Sequence, residues 1–255
     1  MYGCKVVCFF VILACMFSGT FASETMDTAR QIEKGKARVV FYNSSFKNSP
    51  VLKVRGTGNV RITQGYEYAT DYETEVNCSG YGNQTVLKVS YNPFEGLIWW
   101  GKIGSADYRL DVPSTSYIST SLVSSSPGLM SGIGARYLIF PETVVTPALG
   151  ADFSLTLSEI RFDRAYQLRF ETAEGQIAFI ISKTMSVFEP YGGIKVYRSY
   201  SKITDTQTFE STSGYKDNVN LFGGVRVKLY RYEWLIVEGN FIGETGISAG
   251  VGLGF

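Results

Sequence analysis

Histidine is absent from this 255-residue chain, and cysteine is scarce. Without an imidazole, no side chain has an ordinary pKa suited to acid–base work near neutrality, and no serine or cysteine nucleophile has its usual activating base. Zinc loses its commonest nitrogen ligand as well, and no clustered cysteines replace it. Of the four cysteines, Cys4, Cys8 and Cys15 lie in an amino-terminal signal-like segment, so a chain cleaved after it keeps only Cys78 and an internal disulfide is excluded. Cys78, between Asn77 and Ser79, reads as an incidental loop thiol. Charge is low too: 18% charged residues and a net charge of +1 give no reason to expect nucleic acid or a strongly acidic partner. Long apolar runs are also missing. Nothing after Ala22 approaches the roughly 20 apolar residues of a membrane helix, so a mature chain in a membrane must cross it as a closed barrel.

What the chain has in quantity is glycine, tyrosine and phenylalanine, at 27, 17 and 17 residues, the types consumed by strands, barrel walls and aromatic girdles. Lys5, the apolar run 6–17 and the small residues with Thr20 and Ala22 read as an export signal cleaved after Ala22. The rival reading is a lipoprotein site at Ile12-Leu13-Ala14-Cys15, where leucine directly before Ala-Cys fits poorly.

Residues 246–255 place Ile247, Ala249, Val251, Leu253 and Phe255 on one strand face and only glycine and serine on the other. Such a strand suits lipid outside and a crowded interior within. Upstream, 234–244, 218–230 and 147–158 alternate likewise, while 191–201, 176–183, 129–139, 97–108, 86–92 and 60–72 complete ten expected strands less cleanly. Short connections at 92–96, 140–143, 185–190 and 230–233 alternate with longer polar links at 73–84, 111–128, 159–175 and 202–217. That is the rhythm of tight periplasmic turns and longer outside loops, broken only by a minimal last link at 244–245. The fold class is therefore all-β: a closed antiparallel up-and-down transmembrane barrel of about ten strands, with eight or twelve open. Its expected division is 1–22 signal peptide, 23–59 periplasmic leader, poorly structured or partly helical, and 60–255 barrel.

The phase of alternation assigns Arg61, Glu67, Lys88, Lys102, Arg136, Asp152, Lys195, Arg226, Lys228, Glu238 and Asn240 to the interior, since a charge on the lipid face costs about 2–4 kcal/mol at mid-membrane. Trp99, Trp100, Tyr230, Tyr232 and Trp234 flank short turns and are expected to form a periplasmic-side girdle.

The chain resembles the small outer-membrane β-barrel superfamily of Gram-negative bacteria, of the opacity-protein and OmpA-transmembrane-domain type. The resemblance rests on the exported leader, Gly65-Tyr66-Glu67-Tyr68, Glu189-Pro190-Tyr191-Gly192-Gly193, Phe222-Gly223-Gly224-Val225 and the closing Gly250-Val251-Gly252-Leu253-Gly254-Phe255, and spans about 60–255. It implies insertion by the barrel assembly machinery, with Val251, Leu253 and Phe255 as the assembly signal. It implies no single activity.

Omptin-like proteases and the barrel acyl hydrolases and palmitoyl transferases use a histidine, so no enzyme is expected. The carboxylate pair Glu238 and Glu244 shares only a common strand spacing. Asp205 and Asp217 lack calcium-loop spacing, and Gly132-Ile133-Gly134 lacks the lysine of a phosphate loop and reads as strand glycine that lets the interior fill. No cofactor or metal is expected. The expected function is a monomeric outer-membrane barrel with a structural or surface-interaction, adhesin-like role, its partners being outer-membrane lipid, the assembly machinery and an extracellular ligand or host surface. The alternative is a narrow porin-like channel; a soluble exported β-sandwich is the third reading.

Overall fold

The computed structural model describes residues 24–61, 67–115, 118–124, 126–162, 168–205 and 211–255. The signal-like segment with Cys15, and Gly65 and Tyr66 of the resemblance, lie outside these residues. Among the described residues thirteen strands follow one another: β1 Ala37–Asn48, β2 Val51–Arg61, β3 Glu67–Asn77, β4 Ser79–Phe94, β5 Leu97–Thr115, β6 Ile118–Val123, β7 Gly128–Phe140, β8 Ala148–Arg161, β9 Leu168–Ser182, β10 Phe188–Asp205, β11 Ser211–Lys228, β12 Glu233–Asn240 and β13 Thr245–Gly254. Ten of them close an antiparallel barrel in the order β4-β1-β13-β12-β11-β10-β9-β8-β7-β5, with β5 returning to β4. The remaining three are two hairpin elements outside the ring: β2 with β3, and β6 against the far end of β5.

The expected number of wall strands holds, but one member is exchanged. Of the expected strand 60–72, the described residues 60–61 and 67–72 belong to β2 and β3, and the first wall strand is β1, inside the stretch expected to be a leader. The boundary at residue 60 is thus corrected to Ala37. The physical reason lies in β1 itself, where Phe41 points outward but Val40, Tyr42 and Phe46 are fully buried inward, so apolar side chains on both faces blur the period of two. Closure between first and last strands stands, with β13 paired to β1 from Arg38↔Gly254 to Lys47↔Thr245.

Several expected links are extended hairpins. β10 and β11 stay paired as far as Thr204↔Ser211, and β8 and β9 as far as Arg161↔Arg169. The short-turn end is tighter. Gly96, at φ 84°, takes the left-handed turn between β4 and β5 that a side chain would resist. Glu142, in the β7–β8 connection, accepts the Thr184 N–H and hydroxyl at 2.8 Å each and so fastens two neighbouring turns. The last connection is minimal, as expected, with Gly243 at φ 79°.

At the opposite end, β2 and β3 lean over the mouth. Leu52, Val76 and Cys78 join Phe46, Tyr108 and Phe170 in one apolar cluster, with the Tyr108 and Phe170 rings stacked at 5.2 Å. Burial there pushes the Cys78 thiol up to about 11. At pH 8 its thiolate fraction is of order 0.1%, so an aqueous disulfide reagent should label Cys78 only after unfolding. Rapid stoichiometric labelling of the folded protein in detergent would show that this lid does not close.

Candidate functional site

The barrel's outer surface is apolar at the positions the alternation assigns to it: Leu87, Ile103, Ile133, Phe153, Leu155, Phe179, Val196, Leu221 and Val251 all face outward and exposed. In water such a belt would be untenable; in a bilayer it is the lipid contact. Toward the short-turn end it becomes aromatic, with Tyr91, Phe94, Trp99, Tyr137, Phe140, Phe188, Tyr230 and Tyr232 exposed. Val251, Leu253 and Phe255 also point outward.

The interior is where the sequence places its polar groups. Lys88, Lys102, Arg136, Asp152, Lys195, Arg226, Glu238 and Asn240 are all buried in it. Three assignments need correction. Arg61 and Glu67 pair across the free end of the β2–β3 hairpin, outside the wall, because the strand expected to carry them is not a wall strand. Lys228 ends β11 at the short-turn mouth and is exposed. The girdle also loses two members. Trp100 is 8% exposed against 56% for its neighbour Trp99, since adjacent strand residues face opposite sides. Trp234 likewise turns inward, over Gly252, where an added Cβ would lie 2.1 Å from its Nε1. Trp100 fills the interior in the same way beside Gly134, 2.3 Å from where a Cβ would stand. The small inner faces of the strands therefore make room for bulky neighbours.

What fills the centre is the segment before β1, the stretch expected from the sequence to be a periplasmic leader. Residues 24–29 run inside the barrel and are buried throughout. Glu238, wholly buried on β12, accepts the Thr25 N–H at 2.9 Å, the Thr25 hydroxyl at 2.6 Å, the Met26 N–H at 2.7 Å and the Tyr191 hydroxyl at 3.0 Å. Four donors satisfy a carboxylate that would otherwise be costly to bury. Met26 holds φ 42° to present its N–H, a left-handed backbone costing a non-glycine residue on the order of 1 kcal/mol.

Asp27 binds the opposite wall. Its carboxylate meets the Arg38 guanidinium and, at 3.0 Å, Arg136 Nη1. Arg136 also donates to the Thr28 carbonyl at 2.6 Å and, through Nη2, to Asp152 at 2.7 Å. Arg136 and Asp152 stand directly opposite in the β7–β8 ladder, so this pair follows from register alone. Lys88 donates to the Thr25 carbonyl at 2.6 Å and lies 4.4 Å over the Trp100 ring, whose Nε1 reaches Asp152 at 3.2 Å. Above them Glu24 accepts from Gln84 at 2.6 Å and from Ser44. Below, Asn92 holds the Ile32 carbonyl and the Gly35 N–H. The segment is thus a plug, tied to four wall strands, β1, β4, β7 and β12.

Glu238, considered with Glu244 as an acid/base pair, is occupied as a plug anchor. Asp217 pairs with Arg198 at 3.3 Å on the outside of the loop end, and the Asp205 side chain lies outside the described groups. No group of three or more metal-ligating side chains occurs among the described residues. The plug had one legible signal: Glu24 and Asp27 precede a wall that carries an excess of buried cations.

A closed ten-stranded barrel with an outward apolar belt and a polar, filled lumen is a transmembrane barrel of the outer-membrane type, the class of structure that resides in a cell outer membrane. No protein-family model and no curated protein matches the chain. Solved structures similar to it include the translocator domain of the autotransporter NalP from Neisseria meningitidis, at 10% identity, TM-score 0.43, covering 88% of this chain and 89% of that one. OprG, an outer membrane protein from Pseudomonas aeruginosa, is similar at 10% identity and TM-score 0.42, covering 90% and 99%. Ail, the attachment invasion locus protein of Yersinia pestis, is similar at 11% identity and TM-score 0.30, covering 87% and 99%.

Proposed function

We propose that this protein is a non-conducting outer-membrane barrel of the small, opacity-like kind, whose role is structural or surface-interacting rather than transport. The observation that carries this reading is a lumen blocked twice. The plug of residues 24–29 occupies the middle, and the apolar cluster under β2–β3 covers the far mouth. Among the described residues a small space of about 80 Å³ lies near Gln84, Lys102 and Glu174. A solute on that route would have to break the Glu238 and Asp27 networks.

The surface-interaction half of the reading rests on where the chain spends its extra length. β2–β3, β5–β6 and the long β10–β11 hairpin all rise on the end opposite the short turns, a scaffolded surface of the kind that carries recognition. Its partner would be an extracellular ligand or host surface; lipid and the assembly machinery are the partners of its insertion. In planar bilayers the purified protein should give no stable ion-conducting steps. Reproducible steps from the intact chain would replace this reading with the narrow-channel one.

A further inference from the structure

We propose that the short-turn mouth of the barrel binds a multiply charged phosphate-type anion. A cavity of about 520 Å³ opens there, within the size range of small-ligand sites. Its rim carries Arg30 and Lys36 from the stretch between the plug and β1, Lys228 from the end of β11 and Arg231 from the β11–β12 turn, all four exposed. Among the described residues none of these four has a carboxylate within ion-pair distance.

The floor of the cavity is built around Trp234. Arg38 lies 5.1 Å over its ring and Arg226 5.6 Å, each also held by a carboxylate, Asp27 and Glu189 respectively. Those pairings fix the two guanidinium groups without exhausting them. Arg38 Nε is buried with no acceptor among the described residues, and so is Trp234 Nε1. A buried donor without an acceptor is unfavourable, and both belong to residues that line this cavity. The side-chain carboxylates there are Glu33, on the rim, and Glu189, already engaged by Arg226. Cations therefore exceed carboxylates, and unsatisfied donors sit beneath them. A phosphate-type group supplies the countercharge that the rim cations lack, and arginine forks suit its geometry. Arg30 and Lys36 lie on the stretch that leads from the plug to β1, so seating of the plug helps set the rim.

The chemistry fits either a soluble polyphosphate-bearing molecule or the headgroup of an anionic phospholipid in the adjoining leaflet, and the experiment separates them. Sodium tripolyphosphate is titrated calorimetrically into the intact protein in neutral detergent at fixed ionic strength, with sulfate as the control. Saturable binding near one per chain is expected, about tenfold weaker in the K228Q/R231Q double variant, both residues being exposed and remote from the plug anchors. If that double variant loses heat-modifiable migration on a gel, Lys36→Gln serves in its place. The titration is then repeated in phosphatidylcholine nanodiscs with and without phosphatidylglycerol. A lipid headgroup as the natural ligand requires tripolyphosphate to bind more weakly when phosphatidylglycerol is present, with that difference lost in the variant; a soluble ligand requires equal affinity in both. Unsaturable heats, or affinity unchanged by the rim substitutions, would overturn the proposal.

Discussion

Deleting residues 24–34 floods the lumen from the short-turn side, and Trp100 reports it. In the intact barrel this ring lies under Lys88, with its Nε1 on Asp152, shielded by the plug. Without the plug, Glu238 keeps only Tyr191 among its four donors, Arg136 loses Asp27 and Thr28, and Lys88 loses the Thr25 carbonyl. Buried charges stripped of partners draw in water. Acrylamide quenching of Trp100, resolved in a background with Trp99 and Trp234 replaced by phenylalanine, should therefore rise several-fold, and a peptide of residues 24–34 added in excess should reverse it. The deletion alone should remain electrically silent, because the cluster of Phe46, Tyr108 and Phe170 still covers the other mouth. Quenching that does not change would mean the plug does not seal the barrel.

Replacing Arg136 with methionine should cost about 3–5 kcal/mol, the expected result of removing one member of a buried ion network and leaving the others charged. Arg136 is 1% exposed and bonds to Asp152, Asp27 and the Thr28 carbonyl, joining β7, β8 and the plug. Asp152 would keep only the Trp100 N–H, and Asp27 only Arg38 and its own neighbour's N–H. Urea unfolding followed by heat-modifiable migration measures the loss. The double variant R136M/D152L should regain a large part of it, since an apolar pair leaves no orphaned charge on the wall. A single-variant loss below about 1 kcal/mol would show that the network is hydrated and contributes little.

The barrel was legible because its best strands obey a strict period of two. In β11, Val219 and Leu221 face lipid while Asn220 and Phe222 face inward, and in β12 the phase of Glu238 and Asn240 was readable without coordinates. β1 was not, for it buries Tyr42 and Phe46 inside while presenting Phe41 outside. The stretch 60–72 errs in the opposite sense, alternating well enough for a wall strand while its described residues 60–61 and 67–72 pair in the separate β2–β3 sheet. Periodicity reports that a strand has two different faces; it does not report which sheet the strand joins. Trp100 and Trp234 were misplaced for a related reason. Proximity to a turn fixes height along the barrel, while inward or outward direction depends on parity. The plug has no periodicity at all. Its contacts are made by backbone N–H and carbonyl groups, which every sequence possesses, and only Glu24 and Asp27 hint at them.

The bond between Thr25 and Glu238 spans 213 positions of chain, and the seam next to it joins β1 to β13. Contacts so distant in sequence wait for everything between them. The segment ahead of β1 therefore has no home until β12 is in place, and the pairing of β1 with β13 that zips the cylinder also encloses the plug. An assembly intermediate halted before that step would be an open, water-exposed sheet with its amino-terminal tail free. Protease sensitivity of residues 24–36 would then serve as a clock for completion of the barrel.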